Sequence, residues 1–400
     1  MRKGSQIGFA LCGALLALTG KVLLTLEWFK PIAFVGDVNS CTLIEAGRAV
    51  EDLARIGNTP KGMLYLGSGD ERDRLISMKR FGPAKTPQGT IQAIMVLGKD
   101  TADVADTTML GFPSDVAFHP HGIFYYPPRN ELYIINHAYA QGGERIDVFS
   151  VDASVWPVQL TYTFSPYISE RHGVLNDLVV KDDDELFATV WLTFSQDETG
   201  NFALLRGKLR YWGNVLSLVL GLKTGQLLRC KGYRSGSDGS ATCTNAMDRG
   251  TAVMPNGIAF SPEKDRILVS DPIAKEVLVF KVHEKDGSLK LARRIVTTHA
   301  VDNITPNEWD SCEEYFFGSF SAKDYLLRHM FIANAEEPLD ISIASGAYKL
   351  GPAGPSPYEE TPILFGYHPL KSSSVVASVS NETLLFGSAV HNGVMLCPLR

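Results

Sequence analysis

The feature that most restricts this chain's fold is a succession of short apolar runs after residue 40, each cut off by Gly, Pro, Asp or Asn. The runs at 63–66, 91–97, 132–135, 186–190, 267–269 and 277–282 are rich in β-branched and aromatic residues. Runs of that length and composition suit strands better than helices. Several come as hairpin-like pairs, such as RILVSD, PIAK and EVLVFKV from Arg266 onward. The expectation is an all-β assembly of many short strands, and 400 residues are compatible with one large closed β-domain.

A weak internal repeat sharpens this. HGIFYYPPRNELYIINH from His121, NDLVVKDDDELFATV from Asn176 and NGIAFSPEKDRILVSD from Asn256 share one plan. A polar residue and a Gly or Asp precede an apolar stretch, a charged turn and a second apolar stretch. DNITPNEWDSCEEYFFGS from Asp302 follows it less cleanly. The spacing, roughly 50 to 80 residues, is compatible with propeller blades carrying insertions. In a propeller the polar residue opening each repeat would converge on the central channel; a β-sandwich with similar hairpins is the alternative. The segment 202–228 breaks the pattern. Leu204, Leu205, Leu209, Trp212, Val215 and Leu216 would form one apolar face of a helix that packs on the propeller, covers it as a lid or touches membrane.

At the N-terminus, Arg2 and Lys3 precede an apolar run over 7–20, then Lys21 and further apolar residues to Phe29. Residues 1–29 read as a signal peptide or an uncleaved signal anchor, leaving 30–400 as the globular domain facing the lumen or exterior. The six cysteines show no zinc-like spacing. In an oxidising compartment a bridge from Cys41 to Cys397 would close nearly the whole chain, worth roughly 4–5 kcal/mol in the loop-entropy model. Cys230 and Cys243 flank a Gly/Ser-rich loop and could form a second, local bridge. A net charge of −6 without a Lys/Arg cluster argues against nucleic acid as a partner.

The chain has no GxSxG elbow, HExxH, phosphate loop or EF-hand spacing. Hard oxygen donors stand out instead. Glu51, Asn176, Asn256, Asp302 and Asn303 open strands and together suit Ca²⁺, while the adjacent Asp52 and Asp177 point the other way and could share a second ion. His121 and His137 lie on the same scaffold and could relay a proton.

These motifs, in order, resemble the paraoxonase/arylesterase family. The resemblance runs through NSCTLIEAG at Cys41, EDL at Glu51, PHGI at Pro120, INH at Ile135, LNDL at Leu175, NGI at Asn256, VDNI at Val301 and the closing VASVSNETLLFGSAVHNGVMLCPL. It covers essentially everything after residue 40. It implies a six-bladed β-propeller with an N-terminal hydrophobic anchor helix and one or two accessory helices. It implies a catalytic Ca²⁺ on Glu51, Asn176, Asn256, Asp302 and Asn303, and a structural Ca²⁺ on Asp52, Asp177 and the Ile123 carbonyl. It further implies a His121–His137 catalytic dyad and a Cys41–Cys397 disulfide. The expected activity is hydrolysis of small lipophilic esters or lactones by a secreted or membrane-anchored glycoprotein, with NET at Asn381 as a sequon. Where animal members carry further active-site histidines, this chain has VWLTF at 190–194 and Ser319–Phe320, and the Gly/Ser-rich loop is an insertion. Sugar lactones as substrates, or a calcium-stabilised binding propeller without catalysis, are the alternative readings.

Overall fold

The apolar runs fold as strands of antiparallel sheets. The expected hairpin forms: Arg266–Asp271 pairs with Glu276–Val282 from Arg266↔Lys281 to Asp271↔Glu276. The computed structural model describes residues 13, 16–17, 19–24, 27–70, 88–138, 143–166, 168, 172–194, 203–234, 241–283, 287–309, 313–325, 342–353 and 356–399. Among these, strands form three four-stranded sheets, one five-stranded sheet and one seven-stranded sheet. The fold is all-β and propeller-like, with few helices.

The expectation of six separate blades meets five hydrogen-bonded sheets, because one strand is shared. The first part of Thr42–Asn58 pairs with Asn392–Pro398 at the chain's other end, from Thr42↔Leu396 to Ala49↔Asn392. Its second part pairs with Met63–Gly69, from Val50↔Gly69 to Asn58↔Met63. The first and last strands thus close the structure through one ladder. Cys41 and Cys397 are bridged at that closure, and Cys230 and Cys243 are bridged across a strand pair. The expected Cys41–Cys397 disulfide is present, and so is the Cys230–Cys243 bridge that the sequence left open, as in chains that fold in oxidising compartments.

The first strands of successive units are Thr42–Asn58, Pro120–Tyr126, Val174–Asp182, Ile258–Phe260, Ala300–Pro306 and Val375–Ser380. They contact one another in a closed circuit, which the sandwich alternative does not provide. Apolar cores fill the spaces between neighbouring units, not one central volume. One lies inside the seven-stranded sheet, where Val50, Leu53 and Tyr65 from one half meet Val375, Leu385 and Val394 from the other. Each such fully buried aliphatic side chain contributes about 1.5–3 kcal/mol through its apolar area.

The segment at 202–228 divides. Ala203–Leu220 is helical, and the chain re-enters a sheet at Gln226–Lys231. Of the expected apolar face, Leu209, Trp212 and Leu216 turn outward, Val215 is half-buried, and the side chains of Leu204 and Leu205 lie outside the described residues. Asn214 is buried and exchanges two 3.0 Å hydrogen bonds with the backbone of Phe194, while Leu209, Trp212 and Leu216 are exposed by more than half. The two amide bonds to a strand end decide the orientation, since an Asn buried without partners would be costly. Lys21 donates to the carbonyl of Leu220, so the N-terminal residues reach this helix. The N-terminal segment lies partly outside the described residues, and among the described residues no helix is long and apolar enough to cross a membrane. The expected anchor falls largely outside the described residues, and residues 19–24 within it are helical.

Replacing both Cys41 and Cys397 by Ser should cost about 2–5 kcal/mol of stability. The check is the denaturant midpoint, which should fall without a change of fold by circular dichroism.

Candidate metal and catalytic centre

The innermost strands share one irregularity. In four of them the ladder to the second strand skips two residues, between Val50 and Leu53, Pro120 and Ile123, Leu175 and Leu178, and Val301 and Ile304. The skipped pairs are Glu51–Asp52, His121–Gly122, Asn176–Asp177 and Asp302–Asn303. Bulges of this kind release side chains from strict alternation and re-aim them. Asn256–Gly257 sits just before Ile258–Phe260 and makes the fifth such pair. Glycine follows His121 and Asn256 because neighbouring strands come too close for a side chain. A Cβ on Gly122 would lie 2.3 Å from the Asn176 carbonyl oxygen, and one on Gly257 would lie 2.5 Å from the Asn303 Cα.

The bulges gather most of the expected calcium-site residues. Asn303 donates to the Glu51 carboxylate at 2.8 Å and to its carbonyl at 3.0 Å. The Ser374 hydroxyl donates to the same carbonyl at 2.9 Å. Asn176 Nδ2 lies 3.0 Å from His121 Nε2, and that nitrogen is 3.7 Å from Glu51 Oε1. Asn256 joins through its backbone, whose carbonyl accepts the Thr189 hydroxyl at 2.6 Å. Asp302 is half-buried and close enough to Glu51 and Asp177 to disfavour their ionisation. After these contacts Glu51 Oε2, Asn176 Oδ1, Asn256 Oδ1 and Asn303 Oδ1 are buried oxygens without a hydrogen-bond partner. Leaving one such acceptor unmet costs about 1–3 kcal/mol. Four acceptors, three from bulges and one from Asn256, fit a hard cation. Among the described residues no three His, Cys, Asp or Glu side chains gather as a metal cluster. The expected ligand set holds only two carboxylates, Glu51 and Asp302; its other donors are amides.

Asp52 and Asp177 act as latches between units. Asp52 accepts from the Leu53 N–H at 2.8 Å and, across to the next unit, from the Ile123 N–H at 2.7 Å. Asp177 repeats this with the Leu178 N–H at 2.7 Å and the Ile258 N–H at 2.9 Å. Ile123 therefore meets Asp52 through its N–H. Their own N–H groups donate to Ser68 and Thr189 hydroxyls on the second strands, at 2.9 and 3.0 Å. Burial pushes the Asp52 carboxyl up to about 7 against these hydrogen bonds. Burial, then neighbouring carboxylates, holds Glu51 and Asp177 well above the usual range.

The two expected histidines are neighbours: the His121 and His137 rings lie 4.8 Å apart, tilted by 48°. Two residues that sequence reasoning did not assign complete the surroundings. Glu144 Oε2 lies 2.8 Å from His137 Nδ1 and accepts from the Leu175 N–H at 3.1 Å, with Glu144 and His137 both buried. Trp191 is the extra residue of a bulge, because Val174 pairs with Leu192 while Leu175 pairs with Val190. Its indole lies nearly parallel to His121, centroids 6.0 Å apart, and its buried N–H has no partner. His119 turns away to Asp70, 3.2 Å from Nδ1. Asn381 is exposed at a turn, whereas Asn303, the other formal sequon position, is buried.

No protein-family model and no curated protein matches the chain. Among solved structures, it is similar to a luciferin-regenerating enzyme at 11% identity and TM-score 0.47, over 89% of this chain and 94% of that one. A gluconolactonase from Xanthomonas campestris gives 13% identity and TM-score 0.46, over 93% and 95%. A nidogen/laminin complex gives 13% and 0.44, over 78% and 87%. Likenesses this distant assign no activity to the chain.

The raised carboxyls set a pH dependence for the cation-free protein. Asp52 ionises near its ordinary 3.8 when unfolded but only near 7 when folded, so its contribution to stability is full below pH 4 and lost as pH rises through 7. The melting temperature without divalent cations should fall by about 5 °C or more between pH 5 and 8. Asp52→Asn should flatten that slope, as read by calorimetry.

Proposed function

We propose that this chain is a calcium-dependent hydrolase of lactones and carboxylic esters, built as a six-bladed propeller and working outside the cytosol. The blade count reads the seven-stranded sheet as two blades sharing Thr42–Asn58, folded about the core between Val50 and Val375. The single observation that carries the catalytic reading is the set of four unpartnered buried oxygens beside the paired histidines. Glu51, Asn176, Asn256, Asp302 and Asn303 would hold the catalytic ion, and Asp52, Asp177 and the Ile123 carbonyl the structural one. Calcium held there would polarise a carbonyl and stabilise the developing oxyanion.

The chain's own residues do the rest. His121 takes a proton from the attacking water, and His137 beside it shares the charge. Trp191 gives the site a flat apolar wall, which favours lipophilic acyl or aryl groups over polyhydroxylated sugars. The N-terminal segment serves as signal peptide or anchor. The outward Leu209, Trp212 and Leu216 offer a membrane an apolar face, and Asn381 carries glycan.

The deciding experiment measures hydrolysis of phenyl acetate and of aliphatic lactones by purified residues 30–400, with calcium and after chelation. Activity that vanishes on chelation and returns with Ca²⁺ is expected. Asn176→Ala should abolish it, while His121→Gln should reduce turnover about 100-fold with calcium affinity nearly unchanged. No turnover, with calcium still raising the melting temperature, would reduce the ion to a stabiliser of a binding propeller. Separately, Trp191→Ala should raise KM for δ-decalactone about tenfold and leave D-glucono-1,5-lactone nearly unaffected. An equal change on both would remove Trp191 as the apolar wall.

A further inference from the structure

Glu144 has no place in the calcium site, yet it is buried against one of the two histidines. Its position follows from strand register. His137 and Glu144 are directly opposite partners in the pairing of Glu131–Ala138 with Gly143–Asp152, so both side chains leave the same face. The 2.8 Å contact joins Glu144 Oε2 to His137 Nδ1, and the same oxygen accepts the Leu175 N–H. An oxygen receiving a backbone N–H acts as an acceptor, so the proton of the shared bond belongs to His137 Nδ1. His137 then keeps Nε2 as its remaining basic nitrogen, with the His121 ring beside it. Leu175 immediately precedes Asn176, so the carboxylate also ties the histidine pair to a strand carrying a proposed calcium ligand.

We propose that Glu144 is the positioning residue of the site: it selects the Nδ1–H tautomer of His137 and fixes the ring so that the His121–His137 pair is preorganised, forming a carboxylate–histidine–histidine chain. This rests on the hydrolase reading for its kinetic consequence but not for the tautomer. A carboxylate in this place stabilises positive charge on the pair as His121 takes a proton, without itself touching substrate. Proton movement balances: the water proton passes to His121, the charge is shared with His137, and the proton later leaves to the departing alkoxide.

The test compares the wild-type protein with Glu144→Gln and Glu144→Asp in the full soluble domain, loaded with Ca²⁺. Proton and ¹⁵N NMR should show the His137 Hδ1 as a slowly exchanging, strongly downfield signal in the wild type. That signal should move upfield or vanish in Glu144→Gln and be partly restored in Glu144→Asp. Kinetically, Glu144→Gln should lower kcat about 100-fold with KM and calcium affinity nearly unchanged, and Glu144→Asp should recover at least a tenth of the activity. A wild type lacking the downfield signal overturns the assignment whatever the activity. So does a Glu144→Gln enzyme that melts lower but keeps its kcat, since that is a purely structural role. A wild type with the signal but no turnover on any ester or lactone leaves the tautomer assignment standing and sinks the hydrolase reading instead.

Discussion

Everything at the centre of this molecule depends on how closely its innermost strands approach one another. Gly122 lies against the backbone of Asn176–Asp177, and Gly257 against that of Asn303–Ile304, at distances that exclude even a methyl group. At that spacing an aspartate in one unit can accept a backbone N–H from the next, as Asp52 does from Ile123 and Asp177 from Ile258. The bulges follow from the same packing. A strand that gives two residues to its neighbours across the axis cannot also keep them in register with its own hairpin partner.

The arrangement is costly without a cation. Carboxyls of Glu51, Asp52 and Asp177 are buried together, and four side-chain oxygens have no donor. The buried Asn214, by contrast, finds both donor and acceptor in the backbone of Phe194. Four of the unmet acceptors, all on amide or carboxylate side chains, gather at the meeting point of several units, and that clustering points to a ligand more than to loose packing. The surrounding cores supply the rigidity that keeps these oxygens from collapsing onto each other, because each wedge between units is separately filled by aliphatic and aromatic side chains.

Much of this was legible in the chain. The apolar runs announced strands, and the recurring polar-residue-plus-Gly-or-Asp openings picked out His121, Asn176, Asn256 and Asp302, which the fold carries on, or in the case of Asn256 just before, its innermost strands. The bridge between Cys41 and Cys397 followed from the family resemblance. Other features were invisible for definite reasons. Glu144 is seven positions from His137, and nothing local marks it until the register places the two opposite each other. Trp191 looked like one apolar residue among several until a bulge turned it onto His121. The helix at Ala203–Leu220 had the right periodicity, yet Leu209, Trp212 and Leu216 face outward while Asn214 is held by two hydrogen bonds to the backbone of Phe194.

The sequence by itself determined the strand-rich class, the repeated plan and the oxygen-donor character of the repeated positions, because hydrophobic period and turn chemistry are local properties of a chain. Only the tertiary structure decided that one strand serves two half-sheets, which oxygens lack a donor, and which carboxylate holds the second histidine. Those depend on contacts between residues as distant as Glu51 and Asn303, and only closure of the ring brings such residues within hydrogen-bonding distance.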